Sequence, residues 1–245
     1  MNKRTTKSKI KLISSRHQGS VLWLTLNRSN KSNAYNQTML NELDLLIRNF
    51  EMDKTANVLV ITGSGEKAFC AGADLKEIAG KTYESALDLK SANLFMFLSK
   101  LKKVTIAAIN GAAFGGGLEL ALSCDLRICS TNATFAFPET GLGLIPAAGG
   151  TQRLQKVVGK GNAKELILAG EVWDAEKAMS KGLVNKVAEP DQLQILTQTW
   201  ADNIALKDEL ALMLAKKAID IEDDNVPGYL VEKISEALLY QIRHK

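Results

Sequence analysis

Residues 104–119 read VTIAAINGAAFGGGLE, and this stretch decides the fold. Its first part, Val104–Ile109, is an unbroken apolar run with the length of a buried strand. After Asn110 the chain reaches three consecutive glycines, Gly115–Gly117, which open a helix with Glu119 in its first turn. Adjacent glycines are costly in conformational entropy, and they suit a site where bare N–H groups face a developing negative charge. The spacing GxGxxG of a dinucleotide-binding loop is absent from the stretch.

Strand-like runs alternate with helical patterns on both sides of this stretch. Predicted strands cover Ser20–Leu26, Asn57–Thr62 and Leu126–Ser130, and predicted helices cover Gln37–Phe50, Ser85–Leu101 and Leu118–Cys124. Such alternation predicts βαβ units with right-handed crossovers and largely parallel sheets. The expected fold class is therefore α/β.

The pattern becomes helical after Gly150. Helices are predicted at Thr151–Val158, Gly161–Ala169, Ala175–Lys181, Gln192–Ala205, Glu209–Ile219 and Gly228–Arg243. Pro190 and Asp191 suit a helix start. We therefore expect an α/β core over residues 1–190 and a helical C-terminal region over residues 191–245.

The composition of the 245 residues is that of an ordinary globular protein, with 46% hydrophobic and 24% charged residues. No apolar run approaches the ~20 residues that a bilayer-spanning helix needs, so we expect no membrane partner. Two histidines and three scattered cysteines without a CxxC pair are poor material for a metal site. Free, packed thiols are expected, as in a reducing compartment.

The net charge of +4 is unevenly distributed, because no acidic residue precedes Glu42. A cleaved organelle leader, a nucleic-acid arm, a positive rim for an anionic ligand and a solvated basic end all compete as explanations. The predicted strand from Ser20 begins too soon to leave room for a removable leader. The chain lacks a compact Lys/Arg run interleaved with aromatic residues, so we expect no nucleic-acid partner.

Two further segments run through small residues to a carboxylate. Phe69–Asp74 reads FCAGAD, where a ligand can approach the backbone closely. Phe135–Gly143 reads FAFPETGLG and places Glu139 after a proline among apolar and glycine residues. Such surroundings raise the pKa of a carboxyl group, as a proton donor requires. Together with Glu119, these segments provide the N–H donors and carboxyl groups needed for chemistry beside a carbonyl that passes through an enolate. Taken alone, each segment is also explained as a tight turn or a contact with a helix dipole.

Five motifs in order resemble the enoyl-CoA hydratase/isomerase (crotonase) superfamily, specifically its hydratase branch. The match covers roughly residues 20–190. Its motifs are LNR with NAY at Leu26–Arg28 and Asn33–Tyr35, AGADL at Ala71–Leu75, NGAAFGGGLELALSCD at Asn110–Asp125, PETGLGLIP at Pro138–Pro146 and GGTQRL at Gly149–Leu154. The resemblance implies a spiral of ββα units whose C-terminal helices support trimers or hexamers (dimers of trimers).

The resemblance also implies roles for particular residues. Glu119 and Glu139 match the two catalytic glutamates, and the N–H groups of Ala73 and Gly116 match the oxyanion hole for the thioester oxygen. The positions implied to contact coenzyme A (CoA) are Ala71, Leu75, Arg28 and Ala34. Ala147 stands beside the expected water site, where hydratases usually have glycine, so the backbone N–H remains but a methyl group is added.

The implied reaction is reversible addition of water across the C2–C3 double bond of a trans-2-enoyl-CoA. We expect no metal or redox cofactor, an acyl-CoA thioester as the ligand, and a bacterial-type cytoplasmic location in preference to the mitochondrial matrix. The alternatives are another reaction of the superfamily, such as an enoyl-CoA isomerase, a methylglutaconyl-CoA hydratase or a carnitinyl-CoA dehydratase, and an RNA-binding or non-catalytic protein on this scaffold. Relatives carry a C-terminal ending of the form EGxxAFxEKR, which is not found before Lys245. We therefore expect either a short member of the family, with a shortened helical region and a more open acyl pocket, or a truncated sequence.

Overall fold

The computed structural model of the chain describes residues 11–74, 76–77 and 89–221. Within them, two sheets carry ten strands. The strands are β1 (Ile13–Gln18), β2 (Val21–Leu26), β3 (Val58–Gly63), β4 (Ala68–Cys70), β5 (Val104–Ile109), β6 (Ala112–Phe114), β7 (Leu126–Ser130), β8 (Thr134–Ala136), β9 (Trp173–Asp174) and β10 (Lys186–Ala188). Only the β1–β2 and β8–β9 pairs are antiparallel, so the expected parallel character is confirmed.

Seven helices connect and cover the described strands. They are α1 (Gln37–Met52), α2 (Lys90–Ser99), α3 (Gly116–Leu122), α4 (Gly150–Leu168), α5 (Ala175–Ser180), α6 (Leu193–Ala205) and α7 (Glu209–Ile219). Short 3-10 turns occupy Ser29–Lys31 and Glu139–Leu142.

Three successive ββα units of the chain have the same arrangement. In each unit one strand lies in the six-stranded sheet (β1-β2-β3-β5-β7-β10), the next strand lies in the four-stranded sheet (β4-β6-β8-β9), and a helix follows. The first unit is β3-β4-α2, the second is β5-β6-α3, and the third is β7-β8-α4. This arrangement is a spiral of ββα units, as the sequence analysis expects.

The inner strands β2, β3 and β5 of the six-stranded sheet are largely apolar on both faces, because helices cover both of them. Alternate side chains of β2 and β3, such as Leu24 and Ile61, enter the main core, where the buried face of α1 meets them. The intervening side chains, such as Trp23, pack under α6 instead. The Trp23 indole N–H donates to the Gln198 side-chain oxygen at 2.7 Å, which satisfies the buried donor.

The structure departs from the sequence analysis in several elements. β1, β4, β6 and β8 were not predicted, and the stretch after Gly150 also contains β9 and β10, so it is not purely helical. The predicted break between two helices near residue 160 is present inside α4, where Gly159 has φ of 80°. The predicted helix Gly228–Arg243 and the first residues of Ser85–Leu101 lie outside the described residues.

The start of α3 is the boundary that matters for function. The sequence analysis began this helix at Leu118, whereas the structure begins it at Gly116 after Gly115, whose φ is 51°. A positive φ is readily adopted by glycine alone. The N–H group of Gly116 is consequently the first of the helix and has no intrahelical acceptor.

Candidate active site

The predicted site segments converge at one edge of the four-stranded sheet. β4, β6 and β8 are parallel neighbours, so their carboxyl ends lie side by side. Ala71–Asp74 follow β4, Gly115 follows β6, and Glu139 follows β8 after two residues. The carboxyl ends of parallel strands are the usual place for ligand sites in α/β folds.

Each of the three consecutive glycines is required by a different neighbour. A side chain at Gly115 would lie 2.5 Å from a carboxylate oxygen of Glu139. One at Gly116 would overlap the Tyr35 hydroxyl, and one at Gly117 would overlap the backbone of Cys70. Close approach therefore explains the run, in addition to the open N–H groups that the sequence suggested.

Two backbone N–H groups lie close to this junction. Gly72 has φ of 91°, and a Cβ placed there would lie 3.1 Å from the Gly116 nitrogen. Asp74 donates its N–H to the Tyr35 carbonyl, so the N–H of Ala73, one residue earlier in an extended segment, points away from Tyr35. Neither Ala73 nor Gly116 donates its N–H to any acceptor among residues 11–74, 76–77 and 89–221. Two neighbouring donors that are unpaired within these residues can form an oxyanion hole.

Glu119 is held firmly beneath this pair. Its side chain is 3% exposed, and one of its oxygens accepts the N–H groups of Ala148 at 2.7 Å and Gly150 at 2.8 Å. Burial raises the pKa of Glu119, while the two hydrogen bonds and the nearby Arg153 oppose that rise. Hydrogen bonds to a carboxylate favour its ionised form.

Glu139 has a contrasting environment. It begins the 3-10 turn Glu139–Leu142, its carboxylate lies against Gly115, and its buried Oε2 has no hydrogen-bond partner within the described part of the chain. Burial, assisted by the charge of Glu119, raises the pKa of Glu139 to about 7. A carboxyl group poised there can both give and take a proton at neutral pH.

Arg153 fixes Ala148, one of the two residues whose N–H groups donate to Glu119. One Nη of its guanidinium donates to the Ala148 carbonyl at 2.9 Å, and the other to the Phe95 carbonyl and the Ser99 hydroxyl, both at 3.3 Å. Ala148 is thus held at its carbonyl by Arg153 and at its N–H by Glu119. The sequence analysis quoted Arg153 within GGTQRL but gave it no role.

The residues predicted to contact CoA lie next to the Ala73 segment. The Arg28 guanidinium donates to the Ala34 carbonyl at 2.5 Å and to Asp74 at 3.0 Å, so it ties this segment to the turn before α1. Ala71 is exposed, and its N–H donates to the Ser32 carbonyl. Leu75 lies outside the described residues.

Ala147 is exposed, and the structure gives its N–H no acceptor among the described residues. The backbone donors on Glu119 come from Ala148 and Gly150 instead. The sequence analysis did not identify either donor, or Tyr35, as part of the site. In the sequence, the pair Gly149–Gly150 after Ala148 is the only signal for these donors. The only signal for Tyr35 is its place in the NAY motif.

The described residues contain neither a membrane-spanning helix nor a metal-binding cluster. No helix there is long and apolar enough to cross a membrane. Residues 11–74, 76–77 and 89–221 also hold no cluster of three or more His, Cys, Asp or Glu side chains suited to a metal ion.

Comparison with known proteins identifies the class. A family model described as enoyl-CoA hydratase/isomerase matches residues 16–241. The chain is 43% identical over 205 residues to the short-chain-enoyl-CoA hydratase of Clostridium acetobutylicum, covering 83% of this chain and 78% of that protein. It is 41% identical over 197 residues to the crotonyl-CoA hydratase of Syntrophomonas wolfei, covering 80% and 76%.

Solved structures agree with this result. The enoyl-CoA hydratase structure from Bacillus anthracis aligns with a TM-score of 0.88 at 38% identity, covering 92% of this chain and 90% of that one. This chain belongs to the enoyl-CoA hydratase/isomerase family. The predicted crotonase-type α/β fold and the assignment to the hydratase branch, an enzyme of the hydro-lyase class, are therefore confirmed.

Proposed function

We propose that the protein adds water reversibly across the C2–C3 double bond of a trans-2-enoyl-CoA thioester, using Glu119 and Glu139 for proton transfer. The observation that carries the proposal is the placement of two carboxyl groups with different surroundings beside two N–H donors that have no acceptor among the described residues. Hydration transfers no net electrons, so it requires no redox cofactor, and CoA is part of the substrate.

The N–H groups of Ala73 and Gly116 bind the thioester oxygen. Their hydrogen bonds strengthen as negative charge builds on that oxygen in the enolate-like transition state, which is where stabilisation accelerates the reaction. The first turn of α3 adds a favourable dipole at the same point. Loss of one such donor typically raises the barrier by ~3 kcal/mol.

Glu119 and Glu139 then divide the proton transfers. Glu119, whose ionised form is favoured by two N–H donors, takes a proton from water while the oxygen bonds to C3. Glu139, whose pKa lies at about 7, gives its proton to C2. The pair resets by exchanging one proton, and dehydration follows the same steps in reverse.

A panel of short, medium, long and branched enoyl-CoA esters tests this function. We expect loss of the enoyl thioester absorbance with a 3-hydroxyacyl-CoA as the product, and faster turnover of the unbranched members. An absence of turnover across the panel with folded protein would overturn the assignment. Turnover of the branched or diacid members alone would instead identify one of the rival substrate classes.

We propose a homotrimer, or a hexamer made of two trimers, as the working assembly. The resemblance to the family implies this state, and an exposed apolar run after Glu139 supports an association surface; it comprises Leu142, Leu144 and Ile145. Sedimentation velocity is the test. A sedimentation coefficient of a 26.6 kDa monomer at micromolar concentration would contradict it.

We also propose a reducing compartment, the bacterial-type cytoplasm in preference to the mitochondrial matrix. Cys70, Cys124 and Cys129 are all buried and unpaired, which suits a compartment without disulfide formation. Relatives with comparable identity include bacterial and mitochondrial proteins. Cell fractionation with an antibody to the native chain would decide between the two compartments.

A further inference from the structure

Tyr35 contacts both halves of the proposed oxyanion hole. Its backbone N–H donates to the Gly72 carbonyl at 2.8 Å and its carbonyl accepts the Asp74 N–H at 2.8 Å, so it brackets Ala73 on one side. Its hydroxyl lies directly over the Cα of Gly116, where any side chain would overlap it. One residue thus contacts the two segments whose N–H groups must converge on a single oxygen.

The Tyr35 side chain is itself firmly placed. It is 8% exposed, its ring meets Phe95 edge-on at 5.9 Å between centroids, and its hydroxyl shares a hydrogen bond with Ser91. Ser91 and Phe95 lie four residues apart on one face of α2, so a single helix holds the ring. Burial also raises the pKa of Tyr35, which keeps the phenol neutral beside the two glutamates.

We propose that Tyr35 is the positioning residue that sets the distance between the Ala73 and Gly116 N–H donors. The inference rests on the proposed function of those two groups. A tyrosine side chain is rigid, with only two rotatable angles, so it transmits the position of the strand-like Tyr35 backbone to the first turn of α3. A displacement of about 1 Å at a reacting centre can lower the rate by ~100-fold, which makes such a spacer consequential.

The test uses the full chain and five variants: Tyr35→Leu, Tyr35→Phe, Gly116→Ala and the double variants Tyr35→Leu/Gly116→Ala and Tyr35→Phe/Gly116→Ala. Phe50→Leu is the matched control, because it removes another buried aromatic ring, near the C-terminal end of α1. Two kinds of measurement are made. One gives kcat and KM for trans-2-butenoyl-CoA hydration, and the other gives the infrared C=O stretch of bound 3-hydroxybutanoyl-CoA labelled with ¹³C at its thioester carbon.

In Tyr35→Leu we expect kcat to fall by about 10- to 100-fold with little change in KM, and the C=O stretch to return toward its value in solution. Tyr35→Phe keeps the ring, so most of the shift and rate should remain. Phe50→Leu should keep the bound-state frequency. Gly116→Ala should be much less damaging in the Tyr35→Leu background than alone, because the obstructing hydroxyl is gone.

An unchanged C=O frequency in Tyr35→Leu, with Gly116→Ala equally damaging in both backgrounds, would overturn the role of Tyr35 while leaving the oxyanion hole intact. If the wild-type chain itself does not lower the C=O frequency on binding, the oxyanion hole fails, and the role of Tyr35 fails with it. A Tyr35→Leu variant that does not fold leaves the decision to Tyr35→Phe. Gly116→Ala that is as damaging in the Tyr35→Phe background, where the obstructing hydroxyl is gone, as it is alone would then count against the proposal.

Discussion

Glu119 and Glu139 lie in the same cleft but are held by opposite means. Glu119 is in the first turn of α3 and accepts the N–H groups of Ala148 and of Gly150, the first residue of α4. Glu139 starts a 3-10 turn, and its buried oxygen receives no partner from the described residues. Burial raises the pKa of both groups, but only at Glu119 do two N–H donors and a nearby guanidinium oppose that rise. The comparison teaches that one scaffold can favour the ionised form of one carboxyl group while its neighbour stays protonatable at neutral pH.

Arg153 adds to the difference between the surroundings of Glu119 and those of Glu139. It lies near Glu119, favours that group's negative charge, and binds the carbonyl of Ala148, whose N–H donates to Glu119. No basic side chain is among the causes that set the pKa of Glu139, for which the charge of Glu119 acts in the opposite direction. Removing elements of one environment should therefore affect one glutamate and spare the other.

The largest expected effect comes from removing either carboxyl group. Glu119→Gln and Glu139→Gln should each lower kcat by ~100-fold or more, because neither amide can transfer the proton. The amide oxygen introduced by Glu119→Gln can still accept the Ala148 and Gly150 N–H groups, so the fold should survive. Steady-state rates with trans-2-butenoyl-CoA, beside circular dichroism of each variant, provide the check. Near-normal rates in both variants would break the two-carboxylate account.

The two directions of the reaction should share one pH dependence. Hydration requires ionised Glu119 and protonated Glu139, and dehydration requires the same pair with its one proton on Glu119 instead, so both directions need one proton on the pair. Because adding water takes up no net proton, kcat/KM in both directions should fall by about tenfold per pH unit once the pH passes about 7. Initial rates from both sides of the equilibrium, between pH 5 and 9, measure the two profiles. Rates that stay constant up to pH 9 in both directions would contradict the role given to protonated Glu139.

Arg153→Met should lower kcat by roughly 10-fold through a loosened loop, and should raise the pKa of Glu119 by removing a nearby positive charge. The acidic limb of the hydration profile should therefore move to higher pH, while the basic limb set by Glu139 stays in place. Arg48→Met is the matched control, because Arg48 is an exposed guanidinium on α1 paired with Asp44. Movement of both limbs together would show that Arg153 does not act through Glu119.

The smallest effect concerns stability. The pKa of Glu139 is higher in the folded protein than the ordinary carboxyl value of 4.5, so the folded state loses stability as the pH rises from about 4.5 to 7. Glu139→Gln removes that penalty. At pH 8 the variant should be more stable than wild type, by on the order of 1 kcal/mol after allowance for solvent screening, and the gain should vanish near pH 4. Urea unfolding at both pH values provides the comparison, and an equal difference at both would contradict the assigned pKa.

Much of the fold follows from the sequence because its long elements are strongly patterned. β5 (Val104–Ile109), β7 (Leu126–Ser130) and α7 (Glu209–Ile219) have the predicted bounds, since apolar runs and helical periodicity mark them clearly. The strands β4, β6 and β8 were not predicted, because each has only three residues, too few to show the alternation of a strand. Their pairing depends on neighbours far along the chain.

Some residues of the site can likewise be predicted from the sequence, and others cannot. Glu119 and Glu139 stand out in sequence because each follows a recognisable strand and turn. The contributions of Tyr35, Ala148 and Arg153 do not stand out, because they arise where distant segments meet. Gly116 illustrates both cases: its place in a glycine run indicates an open N–H group, whereas its contact with the Tyr35 hydroxyl exists only in three dimensions.

The most direct test of the central claim is the protonation state of each glutamate in the resting enzyme. Infrared difference spectra recorded across a pH titration detect the C=O stretch of a protonated carboxyl group, and Glu139→Gln and Glu119→Gln identify its owner. We predict a band that disappears as the pH rises through about 7, is absent from Glu139→Gln, and persists in Glu119→Gln. A band that is lost in Glu119→Gln and retained in Glu139→Gln would contradict the account.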